Sequence, residues 1–233
     1  KPSAINLFFV FSQILLIKLT SKNINNYFKI VILNIFFVII VSSIIWVPLG
    51  VLIGLSPRAS QIVQPIAQFF AAFPVNLLFP LVVMLILKYR LDVNVWVSPL
   101  MILGTQWYIL FNVIAGAAMI PRDLRLAASN FDVKGWLWWK RLALPAIFPF
   151  YITGAISAAG GAWNASIVAE WVSWGNTTLE ATGLGAYIQA STLAGDFPKI
   201  ALGTAMMCLY VLFFNHVLWR PLYRLAQERF NIN

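Results

Sequence analysis

Charged residues are scarce in this chain, and the side chains that usually carry catalysis are scarcer still. Of its 233 residues only 10% are charged; seven are acidic, and histidine and cysteine occur once each, as His216 and Cys208. A soluble domain carries charge on roughly a quarter of its residues, so an ordinary soluble fold is excluded. One cysteine can form neither a disulfide framework nor a cysteine-rich metal site. We therefore predict no catalytic and no metal-binding residues.

Apolar residues dominate what remains. They make up 61% of the chain, and the mean hydropathy is +0.84. Because one crossing needs about 20 apolar residues, this length predicts five or six membrane helices with short loops. A net charge of +9 would suggest nucleic acid in a soluble protein. Here the basic residues flank apolar runs, so we expect them to face anionic lipid headgroups and expect no nucleic-acid partner.

Six apolar segments follow one another along the chain. They are A (5–17), B (30–55), C (62–87), D (93–120), E (145–169) and F (200–219). Segment A is marginal in length for a crossing. Pro48, Gly50 and Gly54 are predicted to loosen or kink the end of B. Residues 170–199, between E and F, predict a loop with a short helix rather than another crossing.

Segment C is uncharged but contains Pro65, Pro74 and Pro80. Lipid cannot satisfy the backbone groups that prolines free, so this interrupted span should face protein or a wet path. The distribution of lysine and arginine predicts orientation. If the chain start, the B–C loop, the D–E loop and the C-terminal tail share one side of the membrane, that side holds ten of these residues and the other side holds six. We take the side with ten as cytoplasmic.

The D–E loop, residues 121–145, is the most unusual hydrophilic stretch. Pro121 suits the first position of a helix, and the negative charge of Asp123 stabilises the positive N-terminal end of that helix. Asp132 is predicted to cap a second short helix. This pattern predicts a helix-turn-helix along the cytoplasmic surface. An alternative is that the loop only anchors the chain, with interfacial aromatic residues and basic headgroup anchors. Those anchors would be Trp136, Trp138, Trp139, Lys140 and Arg141.

The same loop resembles the EAA loop of ABC importer permeases, which reads Glu-Ala-Ala, three residues, Gly, nine residues, Ile-x-Leu-Pro. The positions that match without a gap are Ala127, Ala128, Leu142, Leu144 and Pro145. Leu126 stands at the glutamate position and Asp132 at the glycine position. Aspartate tolerates a left-handed turn, so the bend can survive, whereas a salt bridge from the glutamate cannot.

The resemblance extends over nearly all of the chain from segment B onward. Residues 50–58, 64–66 and 73–74 look like the nitrate, sulfonate and taurine subgroup, and residues 163–170 and 182–185 look like its fused, double-length members. We therefore expect this chain to be the C-terminal half of a fused permease. Residues 1–27 would form an N-terminal membrane segment and linker, and residues 28–233 the permease core, with the coupling loop at about 121–145.

The resemblance implies an all-α integral membrane fold: a type I ABC importer transmembrane domain of five to six helices with a cytoplasmic coupling helix. It implies a multi-pass protein of the bacterial inner membrane that imports a small oxyanion such as nitrate, sulfonate or taurine. The implied partners are a cytoplasmic ABC ATPase dimer, a second permease half, an extracytoplasmic substrate-binding protein and the lipid bilayer.

Within this family the EAA loop docks on the ATPase. The implied coupling residues are Leu126, Ala127, Ala128, Phe131, Asp132, Gly135, Trp136, Leu142, Leu144 and Pro145. The chain has no Gly-x-x-x-x-Gly-Lys-Ser/Thr loop, so we expect it to bind no cofactor and its partner ATPase to bind ATP and Mg²⁺.

Polar groups at membrane depth usually face the protein interior or water. On that ground the candidate translocation-pathway residues are Gln106, Asn112, Trp163, Asn164 and Glu170. Alternatively, Gln106 and Asn112 bond neighbouring helices and Glu170 lies outside the bilayer. His216, beside Trp219, fits an interfacial residue better than a ligand.

Two other classes of function stay open at this point. A secondary transporter or channel would keep the polar helix positions but has no use for the D–E loop pattern. A membrane-embedded enzyme would need acids, histidines or an activated nucleophile, which this chain hardly contains.

Overall fold

A computed structural model of the chain describes residues 23–174 and 177–230. Segment A and most of the predicted N-terminal unit lie outside the described residues. The helices are α1 (Asn23–Gly54), α2 (Pro57–Ala72), α3 (Phe79–Tyr89), α4 (Val93–Trp96), α5 (Ser98–Ala118), α6 (Arg122–Asn130), α7 (Gly135–Trp138), α8 (Leu144–Ala169), α9 (Leu184–Leu193), α10 (Phe197–Phe214) and α11 (Arg220–Phe230). Strands β1 (Trp171–Trp174) and β2 (Thr177–Glu180) form an antiparallel hairpin.

Four helical stretches in the described part of the chain are long and apolar enough to cross a membrane. They are Val31–Gly54, Val93–Ala118, Gly135–Ala169 and Phe197–Phe230. They correspond to segments B, D, E and F, so the predicted helical membrane fold is confirmed. The last stretch continues past the predicted end at Trp219, because a π-helical turn (Asn215–Trp219) joins α10 to α11.

Segment C is broken at Pro74, one of its three prolines, whereas Pro65 lies inside α2 and Pro80 lies in the first turn of α3. Helix α2 ends at Ala72, a 3₁₀ turn follows at Val75–Leu78, and α3 continues to Tyr89. Pro74 lies in the break between α2 and the turn, where it needs no helical hydrogen-bond donor. Segment C is thus two short helices rather than one straight span.

Helices α1, α5 and α8 pack together around a buried core that includes Val38, Met101 and Ile147. Helices α1 and α5 run in the same direction, since Asn34 bonds Ser98 near their starts and Gly54 meets Ala117 near their ends. Helix α8 runs the opposite way.

Pro48, Gly50 and Gly54, which were predicted to loosen or kink the end of segment B, do not interrupt the described helix. Helix α1 is continuous through Pro48 to Gly54. A Cβ added at Gly50 would lie 2.8 Å from Val113 Cγ1, and one at Gly54 would lie 2.7 Å from Ala117 Cβ. The two glycines let α1 approach α5 closely, as small residues do between membrane helices.

One end of the bundle is strongly basic. It holds the end of α1, the end of α5 and the loop before α8, and the 5.0 Å ring contact between Phe148 and Phe230 brings the end of α11 there too. Seven of the 13 lysines and arginines in the described ranges belong to this end: Arg58, Arg122, Arg125, Lys134, Lys140, Arg141 and Arg229. We call it the cytoplasmic end. Arg220 and Arg224 lie nearer the middle of α8, beside Ile156.

The opposite, external end carries the hairpin and α9. The short helix predicted between segments E and F is confirmed as α9, and no further crossing lies between these two segments among the residues described. The β1–β2 hairpin was not predicted. Its register pairs Trp171 with Glu180 and Val172 with Leu179.

The D–E loop folds as the predicted helix-turn-helix, α6 followed by α7. The predicted cap at Asp132 is wrong, because Lys134 occupies the N-cap position of α7. Asp132 instead adopts a left-handed conformation (φ 54°), and its carboxylate pairs with the Lys134 ammonium. The left-handed bend expected from aspartate at this position is therefore present.

Candidate coupling surface and membrane pathway

The α6–α7 loop presents large apolar side chains to solvent at the cytoplasmic end. Phe131 is 82% exposed, Trp136 75% and Leu126 51%. The chain reverses here through Asp132 and Gly135, which both have positive φ, and this tight turn leaves Phe131 and Trp136 on the outside. An apolar cluster exposed among charged residues is typical of a docking surface. We call Leu126, Phe131 and Trp136 the coupling patch.

The other residues of the predicted coupling set support the patch. Ala127 and Ala128 are half-buried in α6, and Val133 N–H donates to Ala128 O at 2.8 Å, which closes the turn. Leu142 lies in the π-helical turn before α8, and Leu144 and Pro145 form the first turn of α8. The stretch from Gly135 to Ala169 is continuous, so it links the loop directly to the external end.

Gln106 forms a hydrogen bond between two helices. Its Oε1 accepts a hydrogen bond from Trp46 Nε1 at 2.8 Å, so the amide faces α1. The neighbouring Trp107 stacks on Phe70 of α2 with ring centroids 6.1 Å apart. Gln106 thus joins an aromatic cluster formed by α1, α2 and α5.

Asn112 lies on the face of α5 that packs against α8. Its Nδ2 donates to Tyr108 O one turn earlier, at 2.8 Å. Its Cβ would lie 2.9 Å from a Cβ added at Gly154 of α8. Trp163 is buried, with its ring 6.4 Å from that of Phe214, whereas Asn164 is exposed. The five predicted pathway residues therefore occupy several different surroundings.

Glu170 is the most unusual of the five. It follows the last residue of α8, and its side chain is only 1% exposed. Its Oε2 accepts from Ala186 N–H at 3.1 Å and its main-chain oxygen accepts from Ala181 N–H at 2.8 Å, so it joins α8 to the hairpin and to α9. Burial raises the pKa of this carboxyl from 4.5 to about 7, although the backbone N–H groups of Ala186 and Gly185 oppose the shift.

Glycine at position 183 makes this close approach possible. A Cβ added at Gly183 would overlap the Glu170 carboxylate, and one added at Gly185 would overlap the carbonyl oxygen of Ser166. Residues 182–185, which resemble the fused permeases, thus pack against the buried carboxyl group of Glu170. That contact could not be predicted from either motif separately.

A second polar cluster at the external end escaped prediction. Ser98 Oγ donates to Asn34 Oδ1 (3.0 Å), Asn34 Nδ2 donates to Asn94 O (3.2 Å), and Thr182 N–H donates to Asn94 Oδ1 (2.6 Å). These bonds tie α1 and α5 to the loop after the hairpin. One signal was available, since Asn34 is the single amide in the uncharged run 30–55.

The geometry is that of a membrane-transport component, with long apolar helices, a broken span and an exposed apolar loop at the basic end. Residues 46–227 match the family described as binding-protein-dependent transport system inner membrane component. The chain belongs to this family.

Individual relatives agree with the family assignment. A probable ABC transporter permease protein of Brucella melitensis biotype 1 is 26% identical over 184 residues, which cover 78% of this chain and 70% of the relative. The bicarbonate transport system permease protein CmpB of Synechococcus elongatus is 29% identical over 136 residues (58% and 47%). The nitrate import permease protein NrtB of Leptolyngbya laminosa is 25% identical over 176 residues (76% and 60%).

The family assignment decides between the classes that the sequence left open. The chain is a multi-pass inner-membrane permease component of an ABC importer, not a secondary transporter, a channel or a membrane-embedded enzyme. It is non-catalytic, and the ATPase of such a system is a separate partner.

Proposed function

We propose that this chain forms one half of an alternating-access pathway for a small oxyanion. A second permease half would complete the pathway, and an extracytoplasmic binding protein would deliver the solute. Nitrate, bicarbonate and organosulfonates such as taurine are the candidate solutes. The support comes from the names of two relatives, one a bicarbonate and the other a nitrate permease.

The coupling patch carries the proposal for how transport is driven. Phe131 and Trp136 are large, apolar and exposed at the cytoplasmic end, where lipid tails cannot cover them. They would fill a groove on a cytoplasmic ABC ATPase dimer, while the small side chains of Ala127 and Ala128 let the backbone approach. Because Leu126 stands at the glutamate position of the Glu-Ala-Ala pattern, the contact with the ATPase would be apolar there.

Motion would reach the external end along one helix. Closure of the ATPase dimer moves α6 and α7, and the unbroken stretch Gly135–Ala169 transmits that displacement as a rigid body. At the far end, Glu170 passes it to α9. In this scheme the chain binds no cofactor itself, and ATP with Mg²⁺ is bound by the ATPase.

The pathway itself is proposed to run beside the polar positions of α5 and α8. Asn164 is exposed on α8 and is therefore the best placed of the five to meet solute. Gln106, Asn112, Trp163 and Glu170 would shape the wall through the contacts described above. Polar groups at this depth are costly unless they face protein or water.

Uptake by cells that express the complete transporter tests the proposal. Labelled nitrate, bicarbonate and taurine are supplied one at a time, and accumulation is measured before and after ATP depletion at constant membrane potential. We expect one of the three to accumulate only while ATP is present. Asn164→Leu should reduce that uptake, whereas Val168→Leu, one turn further along α8 and also exposed, should not.

Two results would contradict the proposal. Accumulation that continues after ATP depletion would exclude ATP-driven import by this chain. ATP-dependent uptake of a cationic or neutral solute, with none of the three oxyanions transported, would preserve the family assignment but overturn the assignment of solute.

A further inference from the structure

An open basic groove lies beside the middle of α8, where α10 continues into α11. Two adjoining cavities of about 410 and 430 Å³ share Arg220 and Arg224. The first cavity is completed by two apolar side chains, Ile156 and Trp219, and by three polar ones, Asn215, Tyr223 and Gln227. The groove therefore brings two positive charges and three polar groups to one wall of the bundle.

The groove lies within the membrane-spanning part of the bundle. Ile156 is close to the middle of α8, about 18 Å along the helix from its first residue. Trp219, directly before the first arginine, lines a small cavity together with Ile39 of α1 and Trp163 of α8. All three of these helices belong to stretches long and apolar enough to cross a membrane. The two arginines thus lie far from both ends of α8.

The charge of the groove has no counter-charge in the part of the chain that the structure describes. No ion pair there includes Arg220 or Arg224. Glu228 is the single acid of α11, and it borders the second cavity only. Charged side chains at membrane depth are costly and mark solute or ion pathways when they face water. The first cavity therefore needs a partner that carries negative charge.

The face of α8 next to the groove is also unsuited to lipid. Thr153, Ser157 and Asn164 are exposed on it, at spacings that place them on one side of the helix. Gly160 lies between them and faces open space. Ile156 is one turn from Thr153 and from Gly160, so the groove adjoins this polar stripe. Polar groups at this depth face protein or water, which favours a wet path along the stripe and the groove.

We propose that Arg220 and Arg224 bind the transported oxyanion half-way across the membrane. This inference rests on the proposed function, which routes a small oxyanion past Asn164. A guanidinium group suits the role because its planar fork matches two oxygens of a nitrate, bicarbonate or sulfonate group. Tyr223 and Gln227 donate further hydrogen bonds to the anion. The two positive charges would select anions against cations.

Uptake kinetics of the complete transporter test the site, with whichever of nitrate, bicarbonate and taurine the wild type accumulates. Arg220→Gln and Arg224→Gln should each raise the KM for uptake about tenfold, because each removes a charge-assisted hydrogen bond to the anion. The lysine variants at the same positions should fall between, since lysine keeps the charge but not the fork. The amount of assembled transporter in the membrane is measured for every variant.

Arg229→Gln is the matched control for charge. Arg229 is exposed on the same helix but lies outside both cavity linings. This variant should keep the wild-type KM. An equal rise in KM in Arg229→Gln would show general charge attraction and would overturn the assignment to the groove.

Protection from a thiol reagent gives a second readout that leaves both arginines in place. Cys208 is exposed and is first replaced by serine. Gln227→Cys then places a thiol in the first cavity, and Arg229→Cys places one outside it. We expect the transported oxyanion to slow methanethiosulfonate labelling at position 227 and to leave labelling at position 229 unchanged.

The outcomes separate this inference from the proposed function. If the wild type accumulates none of the three oxyanions in an ATP-dependent way, both are overturned. If it does so and both glutamine variants keep the wild-type KM, the proposed function stands and the arginine site is wrong. Loss of assembled transporter with an unchanged KM and no protection at position 227 would also overturn the site, and would show that the arginines pair with the second permease half.

Discussion

At the scale of single residues, Glu170 has the least expected environment. Its carboxyl lies at the positive end of α9, where backbone N–H groups favour the ionised form. Burial acts in the opposite direction and dominates, so the pKa rises to about 7. Oε1 has no hydrogen-bond partner among the described residues, which adds to the cost of ionisation.

This environment predicts that stability falls as pH rises. Because the folded-state pKa lies above the ordinary value of 4.5, the stabilisation is complete below about pH 4.5 and is lost as pH rises through about 7. We expect wild-type unfolding free energy to drop by on the order of 3 kcal/mol between pH 4.5 and pH 8.5. Glu170→Gln, neutral at every pH, should flatten that slope. Thermal unfolding of the purified chain across this range measures it.

Glu180→Gln provides the control for this experiment. Glu180 lies in the same hairpin, but its side chain is exposed. The variant should keep the wild-type pH slope. If Glu170→Gln also keeps it, the buried carboxyl is not the titrating group.

At the scale of helices, close packing between α5 and α8 depends on particular glycines. A Cβ at Gly154 would lie 2.9 Å from both Asn112 Cβ and Tyr108 O, whereas one at Gly160 of the same helix would meet nothing within 4 Å. Both glycines are helical residues of α8, but Gly154 faces α5 and Gly160 faces open space. They therefore separate the effect of packing from the effect of helix propensity.

Gly154→Ala should destabilise the chain by about 1–3 kcal/mol, because the new methyl forces α5 and α8 apart. Gly160→Ala should be neutral or stabilising by about 0.5–1 kcal/mol, since alanine is the better helix former. Melting temperatures of the two variants in the same detergent give the comparison. Equal shifts of the same sign would show that α8 does not approach α5 as closely as described.

The helices and the loop were predictable from the sequence because each depends on local chemistry. Apolar runs long enough for a bilayer gave four spans, and Pro74 marked the break in the fifth. The helix-turn-helix of α6 and α7 was predicted from Pro121, Asp123 and Asp132, and the spacing from Ala127 to Pro145 supplied the resemblance to the EAA loop. The cap was misplaced, because Asp132 was needed for the left-handed turn itself, and Pro121 is the N-cap residue of α6 rather than its first helical residue.

The external end was not predictable because its contacts join distant parts of the chain. Asn34 and Ser98 are 64 residues apart, and Asn94 and Thr182 are 88 apart. The hairpin is four residues a strand, too short for alternation to identify, and Glu170 fixes its far end through Ala181. Likewise, the sequence did not indicate that Gln106 bonds α1 or that Asn112 meets α8.

At the scale of the whole molecule, the two ends are joined by one continuous helix. Leu126 and Phe131 of the coupling patch lie before that helix, Trp136 lies in its first turn, and Glu170 follows it directly. A force applied at the cytoplasmic end therefore has a continuous helical route to the hairpin and α9, through the π-helical turn Trp139–Ala143 and past Pro149. This arrangement fits a subunit that converts movement of a cytoplasmic partner into opening at the opposite face.

The central claim is that the coupling patch binds the ATPase. Copurification of the ATPase with the permease tests this claim most directly. Phe131→Glu with Trp136→Glu places charge on the patch, while Phe197→Glu alters a side chain that is 78% exposed at the external end. All three substitutions replace exposed side chains, so the fold should survive.

We predict that the Phe131/Trp136 variant retains less than about a tenth of the wild-type ATPase, because an unpaired charge in an apolar contact costs several kcal/mol. Phe197→Glu should retain all of it. Full recovery of the ATPase by the Phe131/Trp136 variant would contradict the account.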